Sequence, residues 1–140
     1  MARKRGGTVN AKEYLMQYRE SIADTKAAIE HIRDLREMCE NLKGTDGESI
    51  RLDEAAACLI DAKEETAREL DRYCAIRTDV RRTISYVRDA RYRELLHARY
   101  IMGLTWHAVA ERIHFDYSYT VHTLHPDALR AVDVVLMQKR

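Results

Sequence analysis

Two long stretches of this chain repeat apolar or small residues every seven positions, and beyond residue 10 only Gly44, Gly47, Gly103 and Pro126 are helix breakers. A seven-residue repeat keeps one stripe of an α-helix facing a single partner, as in a coiled coil. Asn10 is a plausible cap for the first stretch, which runs to Lys43. In it Leu15, Ile22 and Ile29 form one row, and Tyr18, Thr25, Ile32 and Cys39 form the other. Lys43-Gly44-Thr45-Asp46-Gly47-Glu48-Ser49 reads as a loop. A second helix begins between Ser49 and Asp53, with Leu52, Leu59, Thr66, Tyr73, Val80 and Val87 in strict register. Ala56, Leu70 and Ile84 fill much of its second row, with Lys63 and Arg77 as gaps. Two such helices would each extend about 50 Å at 1.5 Å per residue, and a short loop makes them an antiparallel hairpin. A lone two-helix hairpin buries little core. It is therefore expected to pack on a third element, either the C-terminal part of the chain or a second copy.

Few breakers and a charged share of 34% favour an all-α protein. No apolar run approaches the roughly 18 residues of a membrane span. The start, MARKRGG, has the charges of a signal peptide without its apolar stretch. A cytoplasmic protein with no membrane association is the simplest expectation. Cys39, Cys58 and Cys74 form no CxxC pair and lie in helical patterns, so buried free thiols are expected.

Residues 99–129 change character. Thr105, after Gly103 and Leu104, can cap a short helix whose inner face is Trp106, Val109, Ala110 and Ile113. The pattern breaks from His114 to Tyr117, and Ser118 can cap a second helix. Val121, Leu124 and Ala128 or Leu129 give that helix its inner face, leaving Tyr119, Thr120, His122 and Thr123 outward at its start. Before it, Asp89 can cap a helix through Tyr92, Leu95, Leu96 and Arg99 to Met102. After it, Leu129, Val132, Val135 and Leu136 mark a last amphipathic piece between Pro126 and Gln138. Two short helices joined by a tight turn are how a helix-turn-helix DNA reader looks in sequence.

Residues 92–130 resemble the region-4 fold of sigma-70 factors. They are more closely similar to phage and prophage proteins of the ArpU and RinA late-transcription regulator type. Arg99-Tyr100-Ile101, Gly103-Leu104-Thr105-Trp106, Val109-Ala110-Glu111-Arg112, Tyr117-Ser118, Leu124-His125 and Ala128-Leu129 carry the resemblance. The order of long helix, loop, long helix and reader extends it loosely to the whole chain. The resemblance implies a long helical hairpin followed by a sigma-70 region 4-like helix-turn-helix, and a regulator acting at a promoter. The hairpin would serve homodimerisation or contact with RNA polymerase. Pro126 falls where the family continues its reading helix. A proline there lacks one donor and clashes with the His122 carbonyl, so the helix either kinks or stops near His125 and restarts.

The expected organisation is a flexible basic arm at 1–9, an antiparallel coiled-coil hairpin at 10–88 with its loop at about 43–49, and a helix-turn-helix DNA-binding domain at 89–140. The expected partner is double-stranded DNA. Thr105 and His107 are candidates for holding a phosphate at a helix N-terminus. Ser118, Tyr119, Thr120, His122 and Thr123 are candidates for the reading end, with Thr methyls suited to thymine methyls and hydroxyls or imidazoles able to donate or accept. Net charge is only +1, but residues 72–93 hold seven arginines against Asp79 and Asp89, a net of +5. Arg81, Arg82 and Arg88 in that run are candidates for flanking phosphates. The same run also reads as a solvated helix face with intrahelical ion pairs.

Other chemistries find little support. His122 and His125 lie three apart with His107 and His114 nearby, but all three cysteines lie in the hairpin and no HExxH is present, so no metal is expected. No nucleophile motif, glycine-rich phosphate loop or dinucleotide fingerprint appears, so neither an enzyme nor a cofactor is expected. A different class stays open: a protein-binding adaptor that keeps the reader fold but touches a partner such as RNA polymerase. It is favoured by residues 89–140, where seven Lys or Arg face six acidic residues, while the lack of Arg or Lys between Tyr117 and Asp127 counts against base reading by the commonest side chains. A DNA-recognising packaging component is a fainter third option.

Overall fold

The computed structural model describes residues 10–42 and 49–139. The arm expected at 1–9 and all but the end of the loop expected at about 43–49 lie outside the described residues. The described residues are helical, with no strand among them. Helix α1 spans Ala11–Leu42 and α2 spans Ser49–Ser85, and the two make a long N-terminal helical hairpin region. Helix α3 starts at Ala90 and widens after Leu96 into a π turn, His97–Ile101. Helix α4 is Trp106–Ile113. The last helix, α5, covers residues 117–138: an opening turn Tyr117–Tyr119, a π turn Thr120–Leu124, and His125–Gln138.

The chain divides into two compact units. One is formed by residues 21–75, the outer part of the hairpin. Its two helices run antiparallel: the Thr66 hydroxyl donates to the Ala28 carbonyl at 3.4 Å, and Arg72 lies 3.9 Å from Asp24. One seam row of each helix follows the expected heptads, with Thr25 and Thr66 buried and Ile32, Cys39, Leu52, Leu59 and Tyr73 half-buried. The other row is one residue earlier than expected. In α1 it runs through Ser21, Ala28 and Leu35, leaving Ile29 49% exposed. In α2 it runs through Ala55, Ala62 and Glu69, leaving Ala56, Lys63 and Leu70 on the exposed side. The apparent gap at Lys63 is thus not in the seam. Cys58 and Cys74 are exposed free thiols rather than buried ones, and Cys39 is half-buried.

The other unit joins residues 10–20 and 76–139 among those described. The base of the hairpin therefore packs with the C-terminal helices of its own chain. Asn10 caps α1 by accepting from the Glu13 amide at 2.8 Å, and the Ala11 amide donates to Asp133 on α5 at 2.9 Å. Tyr14 donates to Asp79, which also accepts from Lys139 at 3.0 Å. The core is built from Leu15, Tyr18, Val80, Ile84, Val87, Leu95, Leu96, Ala98, Val109, Leu124, Ala128 and Val132.

Pro126 does not end α5. The π turn before it shifts the backbone bonding by one residue, so the His125 amide donates to the Thr120 carbonyl. This wider turn meets the proline where it lacks a donor and would crowd the His122 carbonyl in an α-helix. Backbone angles at Leu124 and His125 stay helical.

Candidate nucleic-acid interface

Helices α4 and α5 are joined by residues 114–116, and both pack on α3 and its π turn within one unit. Thr105 caps α4 by accepting from the Ala108 amide at 3.2 Å. Val109, Ala110 and Ile113 form its buried face, while Trp106 is half-buried. The turn begins with His114 in the left-handed region, at φ 64° and ψ 39°. A residue with a Cβ costs roughly 1–2 kcal/mol there. Its amide still closes α4 by donating to the Ala110 carbonyl, and the Phe115 amide donates to the same oxygen at 3.2 Å.

The cap of α5 is Asp116 and not Ser118. Its carboxylate accepts from the Tyr119 amide at 2.8 Å, and Ser118 lies inside the first turn with its side chain exposed. Aspartate is at least as good a cap as serine, and Asp116 already sits in extended backbone at φ −71°, ψ 161°. Thr120 also departs from expectation. It is fully buried, and its hydroxyl donates to the Asp116 carbonyl at 2.8 Å. With that bond made, Thr120 takes its place one turn before Leu124 on the inner face, so it cannot reach a base edge. Val121, expected inside, is only half-buried.

The remaining reading-end candidates, Ser118, Tyr119, His122 and Thr123, are exposed together at the start of α5. Tyr117 joins them. Its ring stacks on His107 with centroids 4.2 Å apart and planes at 20°, and the Tyr119 ring tilts against Phe115 at 5.5 Å. These pairs tie the exposed end of α5 to α4 and to the turn. Tyr117, part of the sequence motif Tyr117-Ser118, carries no sign of this exposed place in the sequence because it falls where the helical pattern breaks.

His125 turns inward and is half-buried. Its Nε2 lies 2.7 Å from the Tyr100 hydroxyl, and its ring packs 4.5 Å from Trp106. On the tryptophan sits Arg99, 4.5 Å from its ring centroid, while donating to the Leu104 carbonyl at 2.9 Å. That bond braces the segment through Gly103, whose φ of +74° suits a glycine. Burial, with the charges of Lys12 and Arg99, pulls the His125 pKa down to about 4.

The three flanking arginines do not share one face. Arg82 is exposed and its charge acts on Tyr14 and Asp79. Arg88 is exposed in the connection to α3, where its carbonyl accepts from Arg93 at 2.8 Å. Arg81 lines a cleft of about 340 Å³ with Ile84, Ser85, Arg93, Glu94, His97 and Arg112. Arg112 stands in the sequence motif Val109-Ala110-Glu111-Arg112 without an expected binding role. It occupies the outer face of α4, and only the fold brings it opposite Arg81.

No helix among the described residues is long and apolar enough to cross a membrane. No family model matches the chain, and neither a curated protein nor a solved structure is significantly similar to it.

Proposed function

We propose that this chain is a phage- or prophage-type transcription regulator, binding double-stranded DNA through a sigma-70 region 4-like helix-turn-helix formed by α4 and the first turns of α5. The observation that carries this role is the segment 105–123. A capped short helix, a three-residue turn with one left-handed residue, and a second capped helix leave Tyr117, Ser118, Tyr119, His122 and Thr123 exposed at one end. An exposed helix start is what enters a major groove. Its hydroxyls and imidazole offer both donors and acceptors to base edges. Thr105 and His107, at the start of α4, would meet the backbone. Arg81, Arg82 and Arg88 would add salt-sensitive attraction. The hairpin would then dimerise as a coiled coil or contact RNA polymerase in the cytoplasm.

The test is selection of bound sequences from a random duplex pool at about physiological salt. An enriched motif that disappears with Tyr119→Ala or His122→Ala is the expected result. One observation favours a second role, that of a protein-binding adaptor. The exposed start of α5 bears two tyrosines, 41% and 40% exposed, and no cation. No enrichment from the pool by a folded protein would favour the adaptor, with polymerase as the first partner to assay.

A further inference from the structure

The cleft between the end of α2, the body of α3 and the outer face of α4 gathers more positive than negative charge among its described lining residues. Arg81 and Arg112 line it with His97 and Arg93, and Arg77, one turn before Arg81 on α2, acts on His97 from the same side. Arg77, Arg81 and Arg112 make no hydrogen bond or ion pair among the described residues. Arg93 is fixed by its bonds to the Val87 and Arg88 carbonyls at 2.6 and 2.8 Å. The sole carboxylate in the lining is Glu94, which is exposed. Several like charges gathered around one concave surface repel one another, and a bound anion relieves that cost. Guanidinium forks match phosphate oxygens in geometry as well as charge.

We propose that this cleft is a phosphate-binding site, with Arg81 and Arg112 as its principal ligands and His97 in its lining. The site stands whether or not α5 reads DNA. The phosphate group can come from a DNA backbone lying along the arginine-rich end of α2, or from a free phosphorylated small molecule. His97 supplies a direct reporter. It faces Arg77 and Arg81 from α2, Arg93 and Glu94 on its own helix, and Arg112 from α4. Burial first, and then the arginines, hold its pKa below the ordinary imidazole value. An anion between the guanidiniums offsets that repulsion and raises it.

The experiment is a titration of the full chain with inorganic pyrophosphate, and separately with a short duplex of random sequence, while the His97 imidazole resonance is followed across pH. Saturable binding with an upward shift of the His97 titration is expected. Arg81→Gln with Arg112→Gln, both at exposed positions, should weaken binding at least tenfold. Pyrophosphate binding without duplex binding identifies the free source. Duplex binding whose salt slope falls by about 1 per arginine removed identifies the backbone source. No movement of the wild-type His97 resonance with either ligand overturns the proposal, a result that needs no variant to fold. Duplex selection that succeeds while the double variant binds unchanged overturns the cleft and leaves the DNA reader standing.

Discussion

A histidine that gives up water for a ring stack and one hydrogen bond makes its protein sensitive to acid. His125 lies half-buried against Trp106 and Tyr100, and its pKa in the folded chain is about 4. In an unfolded chain an imidazole titrates near 6.5. Between those values the unfolded state binds more protons, so stability falls as pH drops from about 6.5 and the loss levels off below about 4. Allowing for solvent screening at a half-buried ring, the loss amounts to about 1–2 kcal/mol. His97, whose pKa is also lowered, acts with the same sign. Urea midpoints measured from pH 7 to pH 4 should decline less steeply in His125→Gln than in the wild type, and parallel curves would contradict the assignment. Residues of this kind were only partly legible. The caps Asn10, Asp89 and Thr105 are recognisable because a capping side chain serves amides two or three positions away. His125 was not, because its partner Tyr100 is distant in sequence and a histidine on a helix reads equally as surface or core. Thr120 was misread for a similar reason: its hydroxyl is satisfied locally by the Asp116 carbonyl, which frees it to be buried.

At the scale of the element, the hairpin seam depends on small residues. Ala28, Ala55 and Ala62, with Ser21, Thr25 and Thr66, occupy inward positions within the outer unit. Such side chains bury little apolar area, at about 25 cal/mol per Å², but they let two backbones approach closely. A narrow seam tolerates added volume poorly. Ala62→Leu, at a position 6% exposed, should cost about 1–3 kcal/mol by overpacking. Ala56→Leu, on the exposed side, should change stability by no more than about 0.5 kcal/mol. Chemical denaturation of the two variants separates the observed row from the neighbouring one, and the reverse ranking would place Ala56 in the seam. Seven-residue spacing revealed both helices and one row of each. Within the outer unit it misplaced the second row because larger apolar residues, Ile29 and Leu70, lie one position away from the small ones that face inward, whereas Leu15 and Ile84 of the same rows are buried in the other unit. Periodicity weighted by hydrophobicity favours the larger side chain, whereas close packing selects the smaller.

At the scale of the whole molecule, what periodicity could not supply is which elements meet. Tyr14 near the start of α1, Asp79 and Thr83 near the end of α2, and Lys139 just after α5 form one network. Tyr14 donates its single proton to Asp79, so at 2.8 Å it accepts from Thr83, which in turn accepts from Lys139 at 2.9 Å. Tyr14 and Thr83 are buried, Asp79 and Lys139 are partly exposed, and all four side chains are bonded, so the buried members are satisfied. Burial opposes ionisation of Asp79, but the bonds from Tyr14 and Lys139 outweigh it and hold the carboxyl below its ordinary range. A lowered carboxyl pKa stabilises above the unfolded value, near 3.9, and that contribution is lost as pH falls through the folded value. Tyr14→Phe removes the central hydroxyl, leaves the Thr83 donor without its acceptor and deprives Asp79 of one bond. The cost should be about 1–3 kcal/mol at neutral pH, shrinking in acid as Asp79 takes up a proton. Because the same network touches three stretches of the chain, the loss should not stay local. Amide hydrogen exchange should accelerate together in the first turns of α1, the last turns of α2 and the last turns of α5. Acceleration in α1 alone would mean that the network decorates a core held by Leu15, Val80 and Val132 without uniting it.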